Sequence, residues 1–411
     1  MRPVLLKRRD PRIWLADATR GFIHPAFAYS RSSTILTRGD VGQLVTYAPQ
    51  TLPRAYDPTL GWHYRMNPTW NQLCLRSTAL TNATWTRTGL NSPVQSVSSP
   101  TGATDAWIYT EDTSTGTHSQ SQSITFANAT VHAITAIASP RAGSRQLTML
   151  LPAAAFGSDA IATFDLSSGT AVKNGTVLAT EVMALSGGYY QVTAYALSTA
   201  AATGTCVWAV HRSASATVDS YTGDGTSGMS VYGMNVTDTA WMPPFVSSSG
   251  STTTVNNSTL VATLSSILNL GTEYTLGVEF FCSPIQGTPP TRVVMQVDNG
   301  GTSERNVVRY TNSAGGLRLV SVAGGSSTNV DSFTISEGTR VKTAFRISAA
   351  GHKSAANSSL GSGASSTVPA LGSTVRLGND SGSSNNLVGG IVRAWLIPAP
   401  QQDGSLLAYS R

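Results

Sequence analysis

Ionic side chains are scarce here: Asp, Glu, Lys and Arg supply 12% of the 411 residues, against roughly 25% in an average soluble protein. Exposed helix faces are normally filled with Glu, Lys, Gln and Arg, so little is available to build them. Cysteine is scarcer still. Cys74, Cys206 and Cys282 are odd in number, far apart and without a CxxC pair, which argues against a disulfide framework or a zinc site and leaves small buried hydrophobes. Long apolar runs are missing as well: the longest, MLLPAAAF at 149–156, is too short to cross a bilayer, and MRPVLLKRRD has no apolar region of a secretory signal. The expectation is a soluble chain made in a bacterial cytoplasm, with no membrane insertion.

Chemical motifs are equally sparse. The six histidines, at 24, 63, 118, 132, 211 and 352, show no HxH or HExxH spacing, and neither a GxSxG elbow nor a DxDxDG calcium loop occurs. Gly223-Asp224-Gly225-Thr226-Ser227-Gly228 fits GxGxxG, but MSVYGMNV follows it, a strand where a dinucleotide site needs a helix, so a turn between strands is expected. A glycan hydrolase needs two carboxylates astride a sugar. Only Glu111, Asp112 and Glu279 merit testing, and each reads better as a loop or sheet-surface residue. No enzyme, cofactor or metal is expected.

What is abundant is Ser, Thr, Gly, Ala and Asn. Thr and Ser suit solvated strand faces, and Gly and Asn supply the turns between strands, so composition points to an all-β fold. SITFANA, VHAITAIAS, RQLTMLLP, YYQVTAYALST and TCVWAVHRS read as strands in residues 70–246. TEYTLGVEFFCS, TRVVMQVDN, GLRLVSVAG and GGIVRAWLIP do so in residues 247–411, with Gly-rich turns at 299–301, 314–316 and 323–325. The segment 247–260 reads as a polar linker or a polar first strand, and LVATLSSILNL (260–270) has helical spacing, with a strand as its alternative. The chain exceeds one ordinary domain. It divides into two tandem antiparallel β-sandwiches, 70–246 and 247–411, behind a segment 1–69.

That first segment is rich in Arg, Pro and aromatics, and its prolines break it into extended pieces. It reads as an extended arm that orders against another subunit or its own chain, or as an irregular extension covering one edge of the first sandwich. Arg2, Lys7, Arg8, Arg9 and Arg12 stand against Asp10, while the remaining 399 residues hold 22 basic and 20 acidic groups. The body offers no stripe for phosphates, so nucleic acid is not expected as a partner. No repeat is visible, which argues against a propeller or solenoid.

Asn71-Gln72-Leu73-Cys74-Leu75-Arg76-Ser77, Asn82-Ala83-Thr84-Trp85, SPTGATDAW (99–107), FDLSSGT (164–170), GGYYQV (187–192) and YTGDGTSGMSVYGMNV (221–236) occur in order. This series resembles a jelly-roll module, similar to carbohydrate-binding modules, found in tail fibres and other surface proteins of tailed phages. The chain has Tyr189 and Gln191 where the module usually has Trp and a basic residue. KTAFRIS (342–348) and TVRLGND with LVGGIVRAWLIP (374–398) resemble a concanavalin- or laminin-G-like domain.

The resemblance implies a structural virion protein of a phage or gene-transfer-agent-like particle, a tail fibre or head spike. It would attach to host cell-surface polysaccharide, or act as a purely structural collar, baseplate or spike-base piece. The implied partners are portal, capsid or tail proteins, reached through Arg2, Lys7, Arg8, Arg9 and Arg12, within a homotrimer. Sugar binding without chemistry needs exposed aromatic faces. The candidates are Trp107, Tyr109, Tyr221, Tyr232 and Trp241, with Tyr310 and Trp395 in the second sandwich; for Trp107 and Tyr221 packing competes evenly. Trp85, Tyr190, Trp208 and Trp395 sit among apolar neighbours, and there core packing is the better reading.

Overall fold

The computed structural model describes residues 11–267, 270–287, 290–311, 316–370, 372–382 and 385–411. The chain is 50% strand and 4% helix, in antiparallel sheets that stack as two sandwiches. In the first, one sheet runs Val94–Val97, Ala106–Thr110, Gly228–Thr237, Val131–Pro140, Tyr190–Leu197 and Ala179–Ala184. The facing sheet runs Thr170–Lys173, Ala160–Asp165, Gln146–Leu151, Ala202–His211, His118–Phe126 and Thr86–Thr88. Alternate side chains meet between them, among them Ile134, Met149, Phe164, Trp208 and Val231.

The second sandwich pairs a sheet centred on Gly389–Ile397, Tyr274–Cys282 and Val341–Ile347 with one running Ser326–Thr334, Gly316–Ala323, Arg305–Thr311, Arg292–Asp298, Thr374–Leu377 and Thr259–Thr263. Its core holds Leu276, Phe280, Val308, Leu319 and Phe345. The Gly324-Gly325 turn joining two of these strands has φ of 56° and 81°, the left-handed pair that a tight hairpin requires and that glycine adopts without strain. The turn expected at 314–316 begins outside the described residues.

Residues 1–69 are not a free arm where the structure describes them. Ile13–Asp17 pairs with Gly389–Ile397 and so joins the two ends of the chain, Gly61–Met66 pairs with the same strand, and Ala28–Ser30 extends the opposite sheet beside Thr259–Thr263. Leu15, Tyr64 and Met66 are buried in the second sandwich's core. The prolines do fragment the segment, but each short strand finds an edge or gap in a sheet whose main-chain groups need partners. Its hairpin, Ile35–Arg38 with Leu44–Tyr47, packs instead on the first sandwich, where Leu36 and Leu44 meet Tyr232 and Phe245. The segment therefore stitches the two sandwiches together. Arg2, Lys7, Arg8 and Arg9 lie outside the described residues; Arg12 stacks over Trp14 at 4.7 Å and Tyr409 at 5.4 Å.

One boundary moves and one open choice is decided. Thr253–Val255 pairs with Trp70–Gln72, so the polar segment after 247 is a strand of the first sandwich's sheet. Helical spacing at 260–270 is overridden: Thr259–Thr263 is a strand followed by one 3₁₀ turn at Leu264–Ser266, with Leu268 and Asn269 outside the described residues. Period-two burial of Leu260, Ala262 and Leu264, together with partners on both sides, decides it.

Candidate functional site

Of the three carboxylates singled out in the sequence, Glu111 and Glu279 are engaged by arginines. Glu111 is fully buried, and it accepts bonds from Arg145 at 2.6 and 2.8 Å, from the Tyr221 hydroxyl at 2.8 Å and from the Asp224 amide at 2.8 Å. Burial alone would push its pKa up, but these donors outweigh it and hold the carboxyl below the ordinary range. A carboxyl held ionised is a poor proton donor. Asp112 is bonded to Ser114 and lies 3.8 Å from His118. Glu279 pairs with Arg340, with Arg393 at 3.6 Å and with Lys342 at 3.9 Å. Residues Gly223–Ser227 form a loop between strands, closed by the Asp224 carboxylate on the amides of Thr226 and Ser227, and Gly228 opens the next strand.

Four of the five aromatics proposed for sugar stacking are sealed: Tyr109 is 2% exposed, Tyr221 3%, Tyr232 6% and Trp241 4%. Tyr109 lies in the first core. Tyr232 is roofed by the N-terminal hairpin. Tyr221 is held between His118, whose ring stacks at 4.3 Å, and Arg212 at 4.4 Å. Trp107 is half-buried, and its indole N–H donates to the Thr78 carbonyl at 2.8 Å. In the second sandwich Tyr310 and Trp395 are also buried. None of the buried rings offers a face to a pyranose. Their local sequence looked exposed because the segments that cover them are distant along the chain.

His132 and His211 are buried, the latter 2.8 Å from Asp219. No group of three or more His, Cys, Asp or Glu side chains that could hold a metal ion occurs among the described residues. The three cysteines are free and buried.

The structure does bring other residues together where the sandwiches meet. A cleft of about 740 Å³ opens there. Trp70 and Trp241 lie in its wall, packed edge to face with centroids 6.3 Å apart. Leu178 and Leu197, 43% and 45% exposed, add apolar surface from the first sandwich, and Thr130, Thr239 and Gln286 add hydroxyl and amide groups. The Trp70 ring is 2% exposed, and its buried indole N–H has no acceptor among the described residues, which costs free energy. Sequence reasoning found Trp241 but not Trp70, Leu178 or Leu197, because no local signal says which loops face each other across two domains.

Beside the Trp241-Met242 turn lies a second recess of about 290 Å³. Arg65 donates from Nη2 to the Met242 carbonyl at 2.6 Å, while its Nε has no partner. His63 is bonded through Nδ1 to the Gly61 carbonyl at 3.0 Å, and its Nε2 is unpartnered. Burial pushes the His63 pKa down to about 4, so the ring is neutral at physiological pH. Glu181, across the recess, is pushed up by burial against the pull of Tyr195 and Arg65.

No family model and no curated protein matches the chain. Among solved structures, 34% of it is similar to the CBM40 of the Ruminococcus gnavus IT-sialidase bound to α2,3-sialyllactose, at 15% identity and a TM-score of 0.29, over 82% of that chain. The same module bound to α2,6-sialyllactose aligns at 16% identity with a TM-score of 0.28, covering 34% of this chain and 83% of that one. A mutant of NanB sialidase from Streptococcus pneumoniae aligns over 36% of this chain and 26% of its own, at 11% identity and a TM-score of 0.29.

Proposed function

We propose that this chain is a non-catalytic glycan-binding protein that holds a short saccharide in the cleft between its sandwiches and works as an attachment component on the surface of a tailed phage or phage-like particle. The cleft carries the reading. Its volume suits a small oligosaccharide, it lies at a domain junction, and it combines the exposed apolar side chains of Leu178 and Leu197 with hydroxyl and amide groups of Thr130, Thr239 and Gln286. Binding without turnover is supported by the engagement of Glu111 and Glu279 with arginines, which leaves neither as a free acid or nucleophile. The virion assignment rests on the module resemblance. In this reading the basic N-terminal residues dock into a portal, capsid or tail protein, the chain forms a homotrimer, and it is assembled in the bacterial cytoplasm.

A glycan array with the purified chain tests the ligand. Leu197→Arg, which places a long side chain in the cleft from an exposed position, is expected to weaken any hit about tenfold or more while leaving the melting temperature near wild type. A blank array, or equal binding by the variant, defeats the cleft reading. Adsorption of particles in the presence of excess purified chain tests attachment separately, and unchanged adsorption refutes it.

A further inference from the structure

The outer face of the second sandwich carries three arginines with no ion-pair partner among the described residues. Val308, Tyr310, Leu317 and Leu319 point into the core, so alternation places Arg305, Val307 and Arg309, and beside them Arg318, Val320 and Val322, on the opposite face. The register sets Arg309 directly across from Arg318, Val307 across from Val320 and Arg305 across from Val322. All three arginines are half-buried, and their Nε atoms are buried without a partner. A fourth, Arg376, bonds to Asp298 at 2.8 Å, and that carboxylate is otherwise occupied by Gln296 and the Gly300 amide. Glu304 is turned to the amides of Gly324 and Ala370.

Like charges directly opposite on a sheet repel, at a cost the fold bears only if something offsets it. Burial first, then the charges of Arg318 and Arg305, lower the pKa of Arg309. Val307, Val320 and Val322 are 3%, 2% and 4% exposed, as expected where arginine stems lie flat along a sheet. The result is a flat ridge with an apolar floor and guanidinium groups along about 13 Å of strand between Arg305 and Arg309.

We propose that this face binds a linear acidic polysaccharide, its carboxylates or sulfates held by Arg309 with Arg318 at one end and by Arg305 at the other. Guanidinium forks match either anion in two-pronged bonds. Duplex DNA binding draws on about six to ten phosphate contacts, and an anionic bilayer on clusters of about four to eight cations, more than three arginines provide. The site is separate from the cleft and stands whether or not the cleft binds.

The test measures binding of the full chain to polygalacturonate, dextran sulfate, neutral dextran and duplex DNA over a salt series. Expected are binding to polygalacturonate or dextran sulfate that weakens with salt, none to dextran, and an affinity lower by about tenfold or more in Arg309→Gln/Arg318→Gln. Which polyanion binds assigns carboxylate or sulfate. The double variant should melt no lower than wild type, since it removes repulsion, and should lose the stabilisation that the polyanion gives; Leu197→Arg should keep it. No binding to either polyanion, equal binding of dextran, tighter binding of DNA, or unchanged affinity in the double variant overturns the proposal.

Discussion

Arg145 grips Glu111 with both arms, Nε to Oε2 at 2.8 Å and Nη2 to Oε1 at 2.6 Å, and a third bond from Nη2 reaches Asp224 at 3.1 Å. The pair ties the end of strand Ala106–Thr110, the loop before Gln146 and the Gly223–Ser227 loop to one point, at the end of the first sandwich where strands give way to loops. Glu111→Ala leaves the guanidinium without its buried partner and is expected to cost about 3 kcal/mol in denaturant unfolding. Because the folded-state pKa of Glu111 is depressed, its contribution is present above the unfolded value and is lost as pH falls through the folded one. Acid unfolding of the variant should therefore be shallower than that of the wild type.

His63 works with the opposite charge type. Its folded pKa lies near 4, below the unfolded value of about 6.5, so between those pH values the unfolded chain takes up a proton that the folded chain refuses. Stability should fall as pH drops through this window, by about 3 kcal/mol in total from this residue. His63→Phe keeps an aromatic ring against Phe281, now 4.7 Å away edge to face, and should flatten the curve of melting temperature against pH there. An unchanged slope refutes the assignment.

Gly277 is needed for space. A methyl group there would lie 2.0 Å from Cζ2 of Trp395, on a ring packed beneath the C-terminal helix Asp403–Tyr409 with Leu406 and Ala344. Gly277→Ala is expected to lower stability by about 2 kcal/mol or more, read as a lower midpoint in urea.

Truncation separates the two ends of the N-terminal segment. Removing residues 1–12 takes away the Arg12 contacts to Trp14 and Tyr409, worth about 0.5–1 kcal/mol, and should leave both sandwiches folded; the proposed virion role further requires that it abolish incorporation into particles. Removing residues 1–30 takes Leu15 and Ala16 from the core and the Ile13–Asp17 partner from Gly389–Ile397. Cooperative melting of the second sandwich should then be lost.

Much of the architecture was readable from local pattern. The strand Tyr274–Cys282 and the Gly324-Gly325 hairpin appear where alternation and turn chemistry place them. The Gly223–Ser227 loop was read correctly because a strand follows it. The N-terminal segment was harder: Ile13–Asp17 looks like an isolated fragment until Gly389–Ile397, at the other end of the chain, lies beside it. Tyr232 failed as a sugar platform for the same reason, since Leu36 and Leu44 cover it from nearly two hundred residues away.

Composition and alternation alone determined that this is an all-β chain with hydroxyl-rich surfaces and thiols that read as buried hydrophobes, because those properties follow from neighbours a few residues apart. Which aromatics are roofed, that the buried indole N–H of Trp70 finds no acceptor, and that Arg309 stands against Arg318 were decided only in three dimensions. Strand register and the meeting of two domains bring together side chains whose relation is nowhere written between adjacent residues.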